Sequence, residues 1–411
     1  MEILLKELKR TLVVLAFVLN VTLAQAQTLS QAGTTEINAL LQLAVEQGTV
    51  PGVVAIVANK NQILYHAAFG LQDVGKRKEM AKDSIFRIAS MTKPVTSVAV
   101  MMLQDEGKLR VDDPVSKYLP AYKDREVIAT YDEKEATYTT RKSSREILIR
   151  HLLTNTSGFA YGFSNTTVFR LQEKTGKQPE EFALLYDPGT RWTYSSSTKI
   201  LGQVVEKVSG MHLDEFFSER IFKPLGIQDT SYAVPAEKVD RVVTTHRREK
   251  GSLVETPNPE RIAAPVAGDG GLNSTAADYI KFLQMFLNDG KAPGTTILSR
   301  KAIQAMTRNQ IGPVVVETQP AADPLRTNPF PIGAGRDKFG FGFQITTSNK
   351  ENPNLRAPGS YTWAGIFNTH FWVDPKRKIA AVILMQQLPF YDDGSMKLYQ
   401  AFEETIGRNL R

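Results

Sequence analysis

Apolar and polar positions follow two different spacings along this chain, which predict strands near both ends and helices between them. Short apolar runs beside turn residues predict the strands, and apolar residues three and four positions apart predict the helices. The terminal elements are predicted as a helix at 36–47, strands at 52–58, 62–69, 339–345, 361–373 and 379–386, and a closing helix at 395–407. Strands in both terminal parts imply one antiparallel sheet assembled from both termini and flanked by helices.

The middle of the chain has mainly helical spacing. Helices are predicted from Ser90 to a stop at Gly107 and at 144–153, 198–208, 213–222 and 276–288. Residues 123–145 are polar and predict a surface excursion, whereas 312–337 are rich in proline and glycine and predict a long loop of the kind that often borders a binding site. The fold class is therefore α/β, with a mainly helical lobe at 86–267 inserted into a lobe formed by 27–85 and 268–411.

The first 26 residues have the order of a secretory signal peptide. Basic residues precede an apolar run from Leu12 to Leu23, and cleavage is expected after Ala26. An amino-terminal membrane anchor is the alternative, although the run is shorter than the ~20 residues that span a bilayer. We therefore expect an exported protein, periplasmic or secreted, with no stable membrane insertion after the signal is removed. Residues 27–411 would form a single domain.

Composition narrows the possible chemistry. The chain has no cysteine, which excludes disulfides, a thiolate metal site and a cysteine nucleophile. Its formal net charge is +7, but the basic residues are spread over the chain without interleaved aromatics, so no nucleic-acid partner is expected. The five histidines lack metal-binding spacing. We expect neither a metal nor an organic cofactor.

The candidate chemistry begins at Ser90 and Lys93, which lie three residues apart at the start of a predicted helix. Positions i and i+3 share one helix face, so the lysine amine is expected within reach of the serine hydroxyl. A serine becomes an effective nucleophile when a base takes its proton. An isolated Ser-x-x-Lys is more often a helix cap followed by a surface lysine, so other motifs must decide between the two interpretations.

Two further motifs follow in order, Tyr-Ser-Ser at 194–196 and Trp-Ala-Gly at 363–365. With Ser90 and Lys93, this order resembles the penicillin-recognising serine hydrolases, the group of class C β-lactamases, D,D-peptidases and family VIII carboxylesterases. Other stretches are also similar to family landmarks, and together they extend the resemblance over essentially all of 27–411. These stretches are 109–120, 151–158, 268–272, 339–342 and 371–375. The resemblance implies a β-lactamase/transpeptidase-like fold.

The resemblance also implies a role for each motif residue. Ser90 would be the acylated nucleophile, Lys93 would keep the local proton network in order, and Tyr194 would be the general base or proton shuttle. The oxyanion hole would be the backbone N–H groups of Ser90 and Ile366, and such donors typically contribute ~3 to 4 kcal/mol each to transition-state stabilisation. Taken alone, Tyr194 would be a core tyrosine, and its place in the motif order favours the catalytic role.

Ser196, Trp363 and Gly365 are expected to contact the substrate, and the first two depart from the β-lactamase pattern. β-Lactamases have an asparagine at the position of Ser196. They and the peptidases have a lysine or histidine at that of Trp363, where the cation meets a substrate carboxylate. An indole offers an apolar wall with one N–H donor instead. The Trp-x-Gly form is similar to that of the family VIII carboxylesterases. A strand aromatic that faces the core is the alternative interpretation of Trp363.

The predicted function is an exported serine hydrolase that acts through an acyl-enzyme on short-chain carboxylic esters. Hydrolysis of β-lactams or cell-wall peptides is one alternative, and a non-catalytic penicillin-binding-like protein is another. An α/β-hydrolase is excluded because the sequence has no Gly-x-Ser-x-Gly elbow. The expected partner is therefore a small-molecule ester or β-lactam-like substrate.

Overall fold

The computed structural model describes residues 27–411, and the predicted signal peptide lies outside this range. The helices of this range are α1 (Gln31–Glu46), α2 (Thr92–Asp105), α3 (Ile149–Leu153), α4 (Thr166–Thr175), α5 (Ser197–Ser209), α6 (Leu213–Phe217), α7 (Ala276–Leu287), α8 (Arg300–Met306) and α9 (Asp393–Asn409). None of the described helices has both the length and the apolar character needed to cross a membrane.

The strands supply one large sheet and several small ones. They are β1 (Gly52–Asn59), β2 (Ile63–Asp73), β3 (Lys78–Glu79), β4 (Phe86–Arg87), β5 (Glu126–Asp132), β6 (Thr137–Lys142), β7 (Thr245–Glu249), β8 (Ser252–Thr256), β9 (Asn273–Ser274), β10 (Lys291–Ala292), β11 (Thr295–Thr296), β12 (Lys338–Phe339), β13 (Gln344–Ile345), β14 (Tyr361–Gly365), β15 (Thr369–Asp374), β16 (Ile379–Leu384) and β17 (Gln387–Leu388). The large sheet is antiparallel, has eight strands and runs in the order β12-β13-β14-β15-β16-β1-β2-β3. At its centre Val54 of β1 lies opposite Leu384 of β16. The predicted sheet built from both termini is confirmed.

Side chains alternate between the two faces of a strand, so the two faces of β1 pack into different hydrophobic clusters. Val53 and Val57 pack in one apolar cluster with residues of α1 and α9. Val54 and Ile56 belong to the larger cluster, which includes α2, α5 and α7. Every residue of β1 and of β16 is buried, which explains why both strands are apolar runs rather than alternating patterns.

Helix α2 is the central helix of the middle part and is buried from Thr92 to Leu103. A helix that is covered around its circumference belongs to the core rather than to the surface. It packs against α5, and the short turn before it contacts β14 of the large sheet. The start of α2, which carries Lys93, is therefore held between α5 and strand β14 of the sheet.

Several predicted elements differ from the observed ones. The single strand predicted at 361–373 is a hairpin of β14 and β15, because the chain turns at Asn368, whose φ of 56° an asparagine tolerates better than most residues. The strand predicted at 339–345 is interrupted and forms β12 and β13. The excursion at 123–145 contains the hairpin β5–β6. Helices α4 and α8 and the hairpin β7–β8 were not predicted. The division into two lobes stays a prediction.

Candidate active site

Ser90 lies in a short 3₁₀ turn, Ala89–Met91, that leads directly into α2. The residue before it, Ala89, has a φ of 44°, in the left-handed region that an alanine seldom adopts. Such strain is typical of sites where function constrains the backbone. The turn leaves the Ser90 side chain half-buried while Met91 next to it enters the core.

Lys93 is buried and points its ammonium group at three oxygen atoms. Its Nζ lies 3.2 Å from Ser90 Oγ, 3.0 Å from the Tyr161 hydroxyl and 2.6 Å from the carbonyl oxygen of Asp269. An ammonium group has three N–H donors, so these contacts use all of them. Lys93 is thus held in one position beneath the serine, rather than exposed as an isolated Ser-x-x-Lys would suggest.

Tyr194 is the second side chain in contact with the Ser90 hydroxyl. Its hydroxyl lies 2.6 Å from Ser90 Oγ, and Lys93 Nζ lies 4.9 Å from the centre of its ring. The backbone N–H of Tyr194 donates to the side-chain oxygen of Gln319 at 3.0 Å, which ties it to the 312–337 segment. The structure therefore brings together the three side chains predicted to carry the chemistry, although they come from positions up to 104 residues apart.

Tyr161 and Asp269 complete this network, and the sequence motifs predict a role for neither of them. The Tyr161 hydroxyl donates to the Asp269 carboxylate and accepts a hydrogen bond from Lys93. Burial, and then the nearby Asp269 carboxylate, raise the pKa of the Tyr161 phenol well above its ordinary value, so it stays protonated and keeps both bonds. Asp269 lies in the Gly-rich stretch 268–272 noted above, whereas nothing local in the sequence distinguishes Tyr161.

The backbone groups predicted as an oxyanion hole are free to serve as donors. Within residues 27–411, neither the N–H of Ser90 nor that of Ile366 has a hydrogen-bond acceptor. Ile366 follows Gly365, whose chain lies so close to the turn before Ser90 that an added Cβ would meet the Ile88 carbonyl oxygen at 2.3 Å. Glycine at 365 therefore allows the end of β14 to approach the nucleophile.

Of the three residues predicted to contact substrate, Trp363 alone lines the cavity beside Ser90. Its indole is almost completely buried and packs against Tyr194 at 5.0 Å, Phe339 at 5.5 Å and Trp192 at 6.4 Å between ring centres. The two interpretations of Trp363 are thus compatible, because one side of the ring faces the core and another the cavity.

Ser196 and Gly365 do not line that cavity. Ser196 immediately precedes α5, and its side chain is buried, with no hydrogen-bond partner for Oγ in the described chain. Gly365 acts through close packing against Ile88 rather than by lining the cavity.

The cavity has a volume of about 310 Å³ and opens beside Ser90. The segment 312–337 forms part of its wall, as the loop prediction suggested, whereas the hairpin of 123–145 does not reach it. That hairpin instead packs behind the wall, in a cluster with Val168, Leu171 and Phe182. The aromatic and aliphatic side chains of the wall are Tyr161, Phe163, Tyr194, Phe330, Ile332, Leu355, Trp363, Ile366, Phe390, Tyr391 and Tyr399.

A comparison with protein families places the chain. The family model described as Beta-lactamase matches residues 37–405. The chain belongs to the Beta-lactamase family. The predicted superfamily, the β-lactamase/transpeptidase-like fold and the enzyme class, a serine hydrolase, are thereby confirmed.

In the described range, no cluster of three or more His, Asp or Glu side chains is arranged to hold a metal.

Two individual proteins and one solved structure are also similar to this chain. Protein Rv1367c of Mycobacterium tuberculosis is 31% identical over 361 residues, which cover 84% of this chain and 88% of that protein. Esterase EstB of Burkholderia gladioli is 27% identical over 409 residues, which cover 90% of this chain and 94% of EstB. The structure of a simvastatin synthase mutant, LovD6 from Aspergillus terreus, has a TM-score of 0.79 at 24% identity, with 92% of this chain and 95% of that chain covered. The last comparison shows the shared fold.

Proposed function

We propose that this protein is an exported carboxylesterase that hydrolyses short-chain esters through an acyl-enzyme on Ser90. The observation that carries the proposal is the convergence of the Tyr194 hydroxyl and Lys93 Nζ on Ser90 Oγ, at 2.6 Å and 3.2 Å. A hydroxyl with a proton acceptor and a fixed cation at hydrogen-bonding distance has the arrangement of an activated nucleophile. A protein that only binds its ligand needs none of these three groups.

The first half of the reaction forms the acyl-enzyme. Tyr194 acts as the general base and takes the proton of Ser90 while Oγ attacks the ester carbonyl carbon. The carbonyl oxygen becomes an oxyanion that accepts hydrogen bonds from the N–H groups of Ser90 and Ile366. When the tetrahedral intermediate collapses, the bond to the alcohol oxygen breaks and Tyr194 returns the proton to the leaving alkoxide.

The second half releases the acid and restores the enzyme. A water molecule gives a proton to Tyr194 and attacks the acyl carbon, and the same two backbone N–H groups hold the new oxyanion. Collapse of this intermediate breaks the bond to Ser90 Oγ, which recovers its proton from Tyr194. Tyr161 and Asp269 take no proton in these steps, and they keep Lys93 in place between the two tyrosines.

The wall of the cavity supports esters over β-lactams. Trp363 supplies an apolar surface beside Ser90 where the β-lactamase pattern has a cation for the substrate carboxylate. Burial of an apolar acyl or alcohol group against this wall stabilises a bound ester by roughly 25 cal/mol for each Å² removed from water. The similarity to a protein named Esterase EstB points in the same direction.

The test compares two substrates on the purified mature protein and on Ser90→Ala. We expect turnover of p-nitrophenyl butyrate, loss of that turnover in Ser90→Ala, and slow hydrolysis of a chromogenic cephalosporin. Faster hydrolysis of the cephalosporin would replace the esterase proposal with the β-lactamase alternative. Labelling with a fluorophosphonate tests the remaining alternative, because a non-catalytic binding protein would form no adduct at Ser90.

Export is a separate part of the proposal and rests on the order of residues in 1–26. Expression of the full chain in a bacterial host, followed by cell fractionation and amino-terminal sequencing, tests it. We expect the protein outside the cytoplasm with Gln27 as its first residue. Recovery of a chain that begins at Met1 and sediments with the membranes would support an anchor instead.

A further inference from the structure

The charged side chains that line the cavity have partners of opposite charge or a neutral hydrogen-bond donor, with one exception. The partnered groups are Arg336 with Asp337, Arg356 with Glu403, and Asp269 with the Tyr161 hydroxyl. The exception is Arg326, which comes from the 312–337 segment and forms no ion pair with any residue of 27–411. Arg326 is therefore the charged side chain of the wall that has neither an ion-pair nor a hydrogen-bond partner among the described residues.

Arg326 is exposed, but its position is well defined by the surrounding backbone. Its N–H donates to the carbonyl oxygen of Asp323 at 3.0 Å, and its own carbonyl oxygen accepts from the N–H of Phe390 at 2.9 Å. The N–H of Asp323 donates to the carbonyl oxygen of Phe163 at 3.1 Å, which joins the loop to the Phe163 segment. The Arg326 guanidinium lies 5.1 Å from the centre of the Phe163 ring.

Stacked rings connect Arg326 to the reacting groups. The Phe163 ring is stacked on that of Tyr161 with their centres 5.0 Å apart, and Lys93 Nζ lies 5.1 Å from the centre of the Tyr161 ring. Two aromatic rings thus separate the guanidinium from the ammonium group beside Ser90. A group bound at Arg326 would be remote from the ester carbonyl and on the same side of the cavity as Phe163.

We propose that Arg326 binds a carboxylate carried by the ester substrate several bonds away from its ester group. The proposal rests on the esterase function proposed above and names the substrate class within it. A guanidinium whose face is covered by a ring keeps its N–H edge available for the two oxygens of a carboxylate. Trp363 excludes an anion close to the reacting carbon, whereas Arg326 favours one farther away.

The test uses two matched pairs of esters, since the carboxylate can belong to either product. The acyl pair is p-nitrophenyl valerate and mono-p-nitrophenyl adipate, and the alcohol pair is 4-propylphenyl butyrate and 4-(2-carboxyethyl)phenyl butyrate. Each is assayed with the natural chain, Arg326→Gln, Arg326→Lys and the control Arg308→Gln. Arg308 is also an exposed arginine with no ion pair in the described chain, and it lies outside this cavity.

In at least one pair, we expect Arg326→Gln to lower kcat/KM about 3- to 5-fold for the acid and to leave the neutral ester unchanged, as for an exposed ion pair. Arg326→Lys should retain part of the preference, 0.5 M NaCl should reduce it, and Arg308→Gln should change nothing. Equal effects on acid and neutral ester in both pairs, or no effect at all, would overturn the proposal.

A binding measurement separates this proposal from the esterase proposal. If p-nitrophenyl butyrate is not hydrolysed, the esterase proposal fails, but calorimetric titration of Ser90→Ala with 4-phenylbutyrate and 4-phenylbutanol still reports on Arg326. We expect Arg326→Gln, added to Ser90→Ala, to weaken binding of the acid several-fold and not that of the alcohol. Unchanged binding of the acid would contradict the assignment independently of any activity.

Discussion

Two walls of the cavity differ in the hydrogen bonding of their polar groups. We call the side that contains Ser90 and the groups bonded to it the helical wall, and the side formed by β14 and β15 the sheet wall. On the helical wall, Ser90, Lys93, Tyr194 and Tyr161 are joined in one hydrogen-bonded network. On the sheet wall, the buried Nε1 of Trp363 and the Nε2 atom of His370 on β15 have no hydrogen-bond partner in 27–411. The helical wall therefore concentrates groups that can exchange protons, while the sheet wall contributes shape, an apolar surface and the backbone N–H of Ile366.

The largest expected effect comes from the helical wall, in Tyr194→Phe. Removal of the hydroxyl 2.6 Å from Ser90 Oγ takes away the proposed proton acceptor and retains the ring packing. We expect kcat for p-nitrophenyl butyrate to fall about 10³-fold, within the range for general acid–base catalysis. Steady-state kinetics, with circular dichroism as a check on folding, measures it. If a folded Tyr194→Phe variant keeps more than a tenth of the original kcat, a group other than Tyr194 accepts the proton of Ser90.

The sheet wall is tested next by Gly365→Ala. The added Cβ would meet the Ile88 carbonyl oxygen and Thr369 Oγ1, each at 2.3 Å, so the end of β14 must move away from Ser90. We expect kcat to fall about 10²-fold, as for the loss of one oxyanion-hole donor.

The control for that variant is Gly75→Ala, where the new Cβ would meet the ends of two side chains, Glu255 Oε2 at 3.0 Å and Asp73 Oδ1 at 3.7 Å, and no backbone atom. Its kcat and its thermal unfolding temperature should stay close to those of the natural chain. If Gly365→Ala keeps full activity, the sheet wall does not need this close approach and the Ile366 N–H is not the second donor.

A smaller effect is expected for Tyr161→Phe, which removes the hydroxyl between Lys93 and Asp269. Because Tyr161 acts through Lys93, we class it as a positioning residue and expect about a 10-fold lower kcat with an unchanged KM. The matched control is Tyr131→Phe, which removes a buried hydroxyl with no partner in the described chain, away from the cavity. An increase in KM with kcat unchanged would instead indicate a direct contact with substrate.

The smallest expected effect concerns His370 on the sheet wall and appears in stability rather than in rate. Burial lowers the pKa of His370 to about 3, so the folded protein holds it neutral while the unfolded chain takes up a proton near the ordinary value of 6.5. The unfolded state binds more protons below pH 6.5, so the stability contributed by the neutral ring is complete above that pH and is lost progressively toward pH 3.

Urea unfolding of the natural chain and His370→Phe at pH 7.5 and pH 5.5 tests this pH dependence. At pH 5.5, one unit below the pKa of histidine in the unfolded chain, His370 should lower the free energy of unfolding by about 1 kcal/mol. The His370→Phe variant should not show this loss. His151 is also held neutral by burial, which lowers its pKa to about 4, so some pH dependence of the same sign should remain. If the free energy of unfolding changes by the same amount between the two pH values in both proteins, protonation of His370 does not destabilise the folded state.

Part of the structure was predictable because its signals are local. The hairpin of β1 and β2 follows from two apolar runs around a polar turn, and the start of α7 from its cap, since Thr275 accepts from the N–H of Asp278 at 3.1 Å. Gly365 and Asn368 are residues typical of turns, but strand-like residues flank them on both sides, so the pattern of 361–373 predicts one strand where the chain forms two. Its position two residues after Tyr194 predicts that Ser196 contacts the substrate, but tertiary packing buries the Ser196 side chain away from the cavity.

By itself, the sequence determined the chemical groups available, the family to which the chain belongs and the sheet drawn from both termini, because side-chain identity and periodicity are written residue by residue. Only the tertiary structure decided that Tyr161 and Asp269 hold Lys93, and that Arg326 reaches the cavity without an ionic partner. Those contacts join residues far apart in the chain, and no local pattern encodes them. They arise when burial of α2 and of β1 fixes the loops around them in one arrangement.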